Sequence, residues 1–397
     1  MRGLAHRLSR LWIPAVCLFS GGCLTLHHVP PRPGQTTFSA PVVTLQAQLV
    51  DSFLILEVKW DKYGPYHFLV DTGASVTQVT PELARRYAIK DATPMDMPEV
   101  PVRSADGRVT SLPPTLLSRI ELGGARFDDV PAVIWDCAPV SAQLGIKIDG
   151  VLGFPFFRET LLTLDYPRER VVLQPAASAP PAPGTVIPFN NADKTPFIPV
   201  RLGDQTLIAL IDSGGDEVFS INPVGLDLAF AFGPTPGPTV STITGDIPSR
   251  IGRLAGTVFI GDFAVPHPIV QVSDEQFAIG GGALKYFSVT FDQEHDRVTF
   301  QREADDPIAI PARRSTGLSF SKSPAYWRVV GVVPGSPGQV AGIEPGDLVT
   351  AVNGEPVAQW NARRYDQLMA NAEEIDFTFL NGTSKADKRL KVFELVP

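Results

Sequence analysis

Cysteine is scarce in this chain of 397 residues, which has only Cys17, Cys23 and Cys137. Once an N-terminal leader containing Cys17 is removed, at most one disulfide can form, so stability has to come from packing. Histidine is also sparse, six in all, and His6, His27 and His28 fall in the first 28 residues. The sequence has no metal-ligand spacing, no His-Glu-x-x-His, no Gly-x-Ser-x-Gly and no phosphate-binding loop, which removes the usual zinc, serine-hydrolase and nucleotide chemistries. The one N-terminal apolar run, Leu11 to Phe19, is too short to cross a bilayer. Basic residues are in deficit as well, 34 Lys and Arg against 42 Asp and Glu. Loss of Arg2, Arg7 and Arg10 with the leader leaves 31 against 42, a net charge of −11, so a nucleic-acid partner is not expected.

What is present describes a globular protein of two to three domains, 44% apolar and 19% charged. The 38 prolines and 34 glycines favour strands and turns over long helices, which predicts a mainly β fold. The basic, then apolar, acid-free start over residues 1–22 reads as a signal peptide. Cleavage before Cys23 in Ser20-Gly21-Gly22-Cys23 resembles a bacterial lipoprotein signal, which implies a lipid anchor on Cys23. Leu24 favours the outer membrane, with the protein on the periplasmic side. The alternative is a secreted or periplasmic soluble protein whose cysteine merely lies near the cut. Residues 23–40, with Pro30, Pro31 and Pro33, read as a stiff tether.

The strongest signal is a motif that occurs twice. Phe68-Leu69-Val70 runs into Asp71-Thr72-Gly73, and Ala209-Leu210-Ile211 runs into Asp212-Ser213-Gly214. A single such loop is only a turn, whereas two can bring two carboxylates over one water. An internal repeat supports the pairing: residues 151–174 align without a gap on residues 278–301. Gly153 falls on Gly280, Thr163 on Thr290, Asp165 on Asp292 and Arg170 on Arg297. The Pro- and Ala-rich stretch 176–184 separates the copies as a linker.

This arrangement resembles the pepsin and retropepsin superfamily of aspartic proteases over about residues 41–303. In that family each lobe has Asp-Thr/Ser-Gly and a later apolar-apolar-Gly segment, here Val151-Leu152-Gly153 and Ala278-Ile279-Gly280. The resemblance implies two tandem β lobes, 41–175 and 185–303, with one active site between them. Asp71 and Asp212 are then the catalytic dyad, sharing one proton because two close carboxylates do not both ionise cheaply. One acts as general base on a water while its protonated partner polarises the scissile carbonyl, so neither metal nor cofactor is implied.

Gly73 and Gly214 let the backbone approach the carboxylates, and the resemblance gives Thr72 and Ser213 the task of holding the two loops in register. Ala74 and Gly215 replace a hydroxyl that would bond the carboxylate, which implies less depression of the dyad's pKa. Asp216 and Ser75 occupy corresponding positions, where the resemblance implies an acidic residue that contacts the substrate backbone; the bland reading makes Asp216 and Glu217 solvated loop acids. Polar turns suited to substrate-covering flaps lie at Asp106-Gly107 and Thr244-Gly245.

A second linker reads over 304–313, and residues 314–397 resemble a PDZ domain, an α+β module. The resemblance rests on Trp327 to Gly338, on Ala341-Gly342-Ile343-Glu344-Pro345-Gly346-Asp347, and on Val352-Asn353-Gly354. It implies a carboxylate-binding loop at Gly317-Leu318-Ser319-Phe320 and a helix wall with Leu368 in the pocket, which would receive a peptide C-terminus. Packing against the protease is the plainer role. The expected protein is an aspartic endopeptidase with a monomeric active site, acting on peptides or proteins. Two other readings stand beside it: a non-catalytic peptide-binding lipoprotein, and a homodimer working through two copies of Asp71.

Overall fold

The computed structural model describes residues 32–60, 62–89, 98–176, 182–192, 195–382 and 384–397. The leader, Cys23 and residues 177–181 of the first linker lie outside them. The rest is mainly β, as expected from its glycine and proline content.

The first half is organised around the strand Tyr63–Asp71. Its end, Phe68-Leu69-Val70, is buried without alternation, as a strand covered on both faces requires. It pairs antiparallel with Phe53–Trp60 and parallel with Gly150–Gly153, which sets Asp71 opposite Gly153. Gly150–Gly153 also pairs antiparallel with Thr77–Val79, which in turn runs parallel to Ala125–Ile134. The second half has the same plan. Gln205–Asp212 pairs antiparallel with Phe197–Leu202 and parallel with Phe277–Gly280, setting Asp212 opposite Gly280. Phe219–Ile221 then lies antiparallel to Phe277–Gly280 and parallel to Ile269–Val272.

A six-stranded sheet joins the halves, and the later part of the repeat, residues 160–174 and 288–301, supplies its central strands. Thr160–Asp165 pairs with Ser288–Asp292, and Thr163 faces Thr290 with their hydroxyls 2.9 Å apart. The repeated Asp and Arg form equivalent ion pairs, Arg170 Nε to Asp165 at 2.6 Å and Arg297 Nε to Asp292 at 2.9 Å. Phe154 packs on Phe291, 5.4 Å between ring centres, and one apolar core runs through both halves. The two Asp loops are therefore held by a shared core, not by a flexible junction.

The C-terminal part is a separate sheet in the order Leu318–Lys322, Trp327–Val332, Leu348–Val352, Glu374–Asn381, Ser384–Lys391. The helix Ala362–Asn371 packs on it, capped by the Asn361 side chain, which accepts from the Arg364 N–H at 2.9 Å. Trp327, Val329, Val349 and Phe377 centre its own core.

Two segments that composition marks as connectors are folded. Gln35–Phe38 pairs antiparallel with Ala125–Ile134, which shortens the expected tether of 23–40. In the expected linker 304–313, Ile308 is buried in the main core, and Arg313–Ser315 pairs with Phe393–Val396. Proline removes ladder donors but not packing surface, so Pro307 and Pro311 flank a buried residue without breaking the contact.

Candidate active site

Asp71 and Asp212 each end a central strand, and the glycine two residues on turns the chain back toward the carboxylate. Asp71 Oδ1 accepts from the N–H groups of Gly73 at 2.8 Å and Ala74 at 3.0 Å. Asp212 Oδ1 accepts from the Gly214 N–H at 2.8 Å. The hydroxyl residues between them bind reciprocally: the Thr72 N–H donates to Ser213 Oγ at 2.9 Å, and the Ser213 N–H to Thr72 Oγ1 at 3.0 Å. Each hydroxyl then donates across to the other half, Thr72 to the Ile211 carbonyl at 2.6 Å and Ser213 to the Val70 carbonyl at 2.9 Å. Both side chains are fully buried. Every donor and acceptor in this closed set is satisfied by the opposite half.

The glycines are required by the opposite half as well. A Cβ on Gly73 would lie 2.5 Å from Asp212 Oδ1, and one on Gly214 would lie 2.5 Å from Asp71 Oδ1. Each loop thus presents bare backbone to the other's carboxyl. Desolvation at this junction raises Asp71 well above the usual carboxylate range, and the charge of Asp212 adds to it against the Gly73 and Ala74 N–H groups. Desolvation raises Asp212 too, opposed by the Gly214 N–H and by Asp71. Both carboxyls are thus harder to ionise than free ones, and their titration belongs to the pair.

The two hairpins expected over the site meet at their tips. Val100–Arg103 pairs with Val109–Leu112, and Phe230–Thr242 with Gly245–Leu254. Thr244 Oγ1 donates to Asp106 Oδ2 at 2.5 Å, and a Cβ on Gly107 would collide with Glu275. Partial desolvation works upward on Asp106, but hydrogen bonds from Thr244, Arg108 and Ser104 outweigh it and hold the carboxyl at about 2. Beneath the tips Val102, Leu112 and Ile243 form an apolar cluster that includes Val76, five residues beyond Asp71. Asp106 and Thr244 are therefore in one contact, above the first Asp loop. Ser75 and Asp216 are half-buried within their loops.

Glu217 corrects the picture of a solvated loop acid. It stands where the first half has Val76, and its carboxyl folds over Gly215, where a Cβ would lie 2.6 Å from Oε2. Desolvation, then Asp212 and Asp216, push it up to about 8. The unequal pair Val76 and Glu217 at matching positions is the sequence signal for it. Among the described residues no group of three or more His, Cys, Asp or Glu is placed to hold a metal ion. Cys137 is buried, and desolvation followed by Asp136 and Asp149 pushes its thiol up to about 12.

In the C-terminal domain Gly317 adopts a left-handed φ of 89° and packs against Ser336, which caps the helix Pro337–Val340. Leu318 and Phe320 face the domain's core, with Phe320 5.5 Å from Trp327 and 6.2 Å from Tyr365 between ring centres, and Leu368 packs on the same cluster. Ser319 is already engaged: its Oγ accepts from the Thr239 N–H of the second hairpin at 3.0 Å.

The two Asp-Thr/Ser-Gly loops are thus joined by reciprocal hydroxyl bonds over a shared core. Residues 56–156 match the family model described as aspartyl protease, and residues 328–379 match the one described as PDZ domain. The chain therefore contains a retropepsin-like aspartyl protease domain and a PDZ domain. The first match spans Asp71 to Gly153 and stops before the second half. No curated protein matches the chain.

Proposed function

We propose that the chain is an aspartic endopeptidase in which Asp71 and Asp212 share one proton and activate one water between two lobes. The observation that carries this reading is the reciprocal Thr72–Ser213 exchange, with Gly73 and Gly214 each facing the other lobe's carboxyl. Such a frame fixes the separation on which a shared proton depends. The unprotonated carboxylate removes a proton from the water as it attacks the peptide carbonyl, and the protonated partner hydrogen-bonds the developing oxyanion before the nitrogen leaves protonated. Backbone N–H groups already occupy Asp71 Oδ1 and Asp212 Oδ1. The paired tips at Asp106 and Thr244 support an extended peptide held beneath them, with Ser75 and Asp216 contacting its backbone unequally.

The PDZ domain fits a role in receiving peptide C-termini or controlling access to the cleft. A lipid anchor on Cys23 would place the enzyme on the periplasmic side of an outer membrane. Cys23→Ser should then shift the protein from the membrane to the soluble fraction or stop its maturation, and wild type that is fully soluble from the outset removes the anchor.

Cleavage profiling of a whole proteome digest by wild type, Asp71→Asn and Asp212→Asn tests the central reading. Both variants should lose all wild-type cuts while keeping the native circular dichroism spectrum. Undiminished cutting by Asp212→Asn would point to the Asp71 homodimer instead. No cuts by wild type at any pH would leave a peptide-binding protein.

A further inference from the structure

The PDZ groove is not open to solvent along its length. Leu318–Lys322 is the edge strand of its sheet, the strand to which an incoming peptide would pair. The helix Ala138–Leu144 of the protease domain packs against that strand. Gly145, which ends this helix in a left-handed conformation, lies on the Lys322 side chain. Across the groove, Ala362 at the start of the wall helix is buried in one cluster with Cys137, Leu144 and Ile148. Arg363 of the wall helix binds Glu169 of the protease domain through both carboxylate oxygens, at 2.8 and 2.9 Å. A segment of the protease thus touches both elements that make a peptide groove, the edge strand along Leu318–Lys322 and the wall helix at its first turn.

The same helix touches the second hairpin, residues 230–254. That hairpin is fastened to the PDZ sheet at two points. The Thr239 N–H donates to Ser319 on the edge strand, and the Thr239 side chain sits so close over Gly331 of the next strand that no Cβ would fit there. The hairpin's tip, in turn, holds Asp106 of the opposite hairpin. A continuous path of contacts therefore runs from the PDZ edge strand to the two tips.

We propose that the PDZ groove is an internally occupied control site: a peptide with an apolar last residue and a free carboxylate enters by displacing the Ala138–Leu144 helix, and its binding frees the 230–254 hairpin so that the tips part. This rests on the reading of the PDZ domain as a receiver of C-termini. Peptide pairing along Leu318–Lys322 needs the edge that the helix covers, and it reorders the strand that carries Ser319. Closed, the groove taxes its own ligand: if it is open a tenth of the time, apparent affinity falls about tenfold.

A tether tests this in the full-length protein. A Cβ on Gly145 would lie 3.5 Å from the Lys322 Cβ, a separation that a disulfide spans. The double variant Gly145→Cys, Lys322→Cys is compared oxidised and reduced, with the link confirmed by mass. Two measurements are made: binding of a fluorescent peptide ending in valine, against its C-terminal amide, and cleavage of a quenched reporter with no apolar tail. The reduced form should bind the free acid at least about tenfold more tightly than the oxidised form, prefer it to the amide, and cleave the reporter faster when the unlabelled peptide is added. Equal binding by both redox forms overturns the gate while leaving the PDZ reading intact. Binding by neither form, or equal binding of acid and amide, overturns the C-terminus reading itself. Tight binding by the reduced form with no change in reporter cleavage overturns the link to the hairpin. If no form cleaves any reporter, the binding comparison still decides whether the helix closes the groove.

Discussion

The two halves that carry Asp71 and Asp212 share a frame and differ inside it. Asp71 faces Gly153 as Asp212 faces Gly280, and Thr72 exchanges bonds with Ser213. Within five residues of the aspartates, however, Ala74, Ser75 and Val76 stand against Gly215, Asp216 and Glu217. Asp71 accepts two backbone N–H bonds on Oδ1 and Asp212 accepts one. The shared features are those on which the separation of two carboxylates depends. The differing features surround the carboxylates with unequal charge: the loop after Asp212 carries Asp216 and Glu217 where the loop after Asp71 carries Ser75 and Val76.

The largest effect should come from breaking the symmetry of the dyad. Asp71→Asn and Asp212→Asn should each lower kcat/KM by about 10³-fold or more, since either removes the shared proton transfer. An equal loss in both, measured on one quenched peptide, is what a single-chain dyad requires. A loss in only one would separate the halves functionally.

Next in size are the changes to the reciprocal bonds. Thr72→Val strands the Ser213 N–H and Ser213→Ala strands the Thr72 N–H, each in a fully buried position. Either should cost about 1–3 kcal/mol in urea unfolding. The double variant should cost less than the sum, because both changes break one network. No loss in either single variant would mean the two halves do not grip each other through these hydroxyls.

The smallest change sharpens the comparison by making the halves alike. Glu217 is pushed from its ordinary 4.5 up to about 8 by desolvation and by the neighbouring acids. Between those values the folded state holds a proton that the unfolded chain has lost, so stability falls as pH rises through that window. Glu217→Val should remove this slope. The wild-type Tm should drop more between pH 5 and pH 8 than the variant's. Parallel Tm curves would return Glu217 to the solvated loop acids.

Much of this was legible in the sequence because it is local and repeated. An apolar run ending in Asp-Thr/Ser-Gly specifies a buried strand and a tight turn wherever it occurs, and two copies with a matching downstream repeat specify a pair. The PDZ elements were legible for the same reason, through Ser336-Pro337 at a helix start and Asn353-Gly354 at a strand's end. Glu217 was misread because Gly280 and Gly282, far along the chain, pack against it and help bury a carboxyl that its own loop leaves beside Asp212 and Asp216. Gln35–Phe38 and Ile308 were misread because proline content reports the absence of ladder donors and says nothing of a distant strand or core that accepts the segment.

By itself, then, the sequence determined the mainly β class, the two aspartates and their glycines, and the modular order of protease and PDZ regions, since these follow from residue type and short-range pattern. Only the tertiary structure decided that Gly73 must be bare because of Asp212, that Asp106 meets Thr244, and that the Ala138–Leu144 helix packs against the strand Leu318–Lys322. The physical reason is that these contacts join surfaces far apart in the chain, and a one-dimensional pattern records which faces are apolar but not which two faces meet.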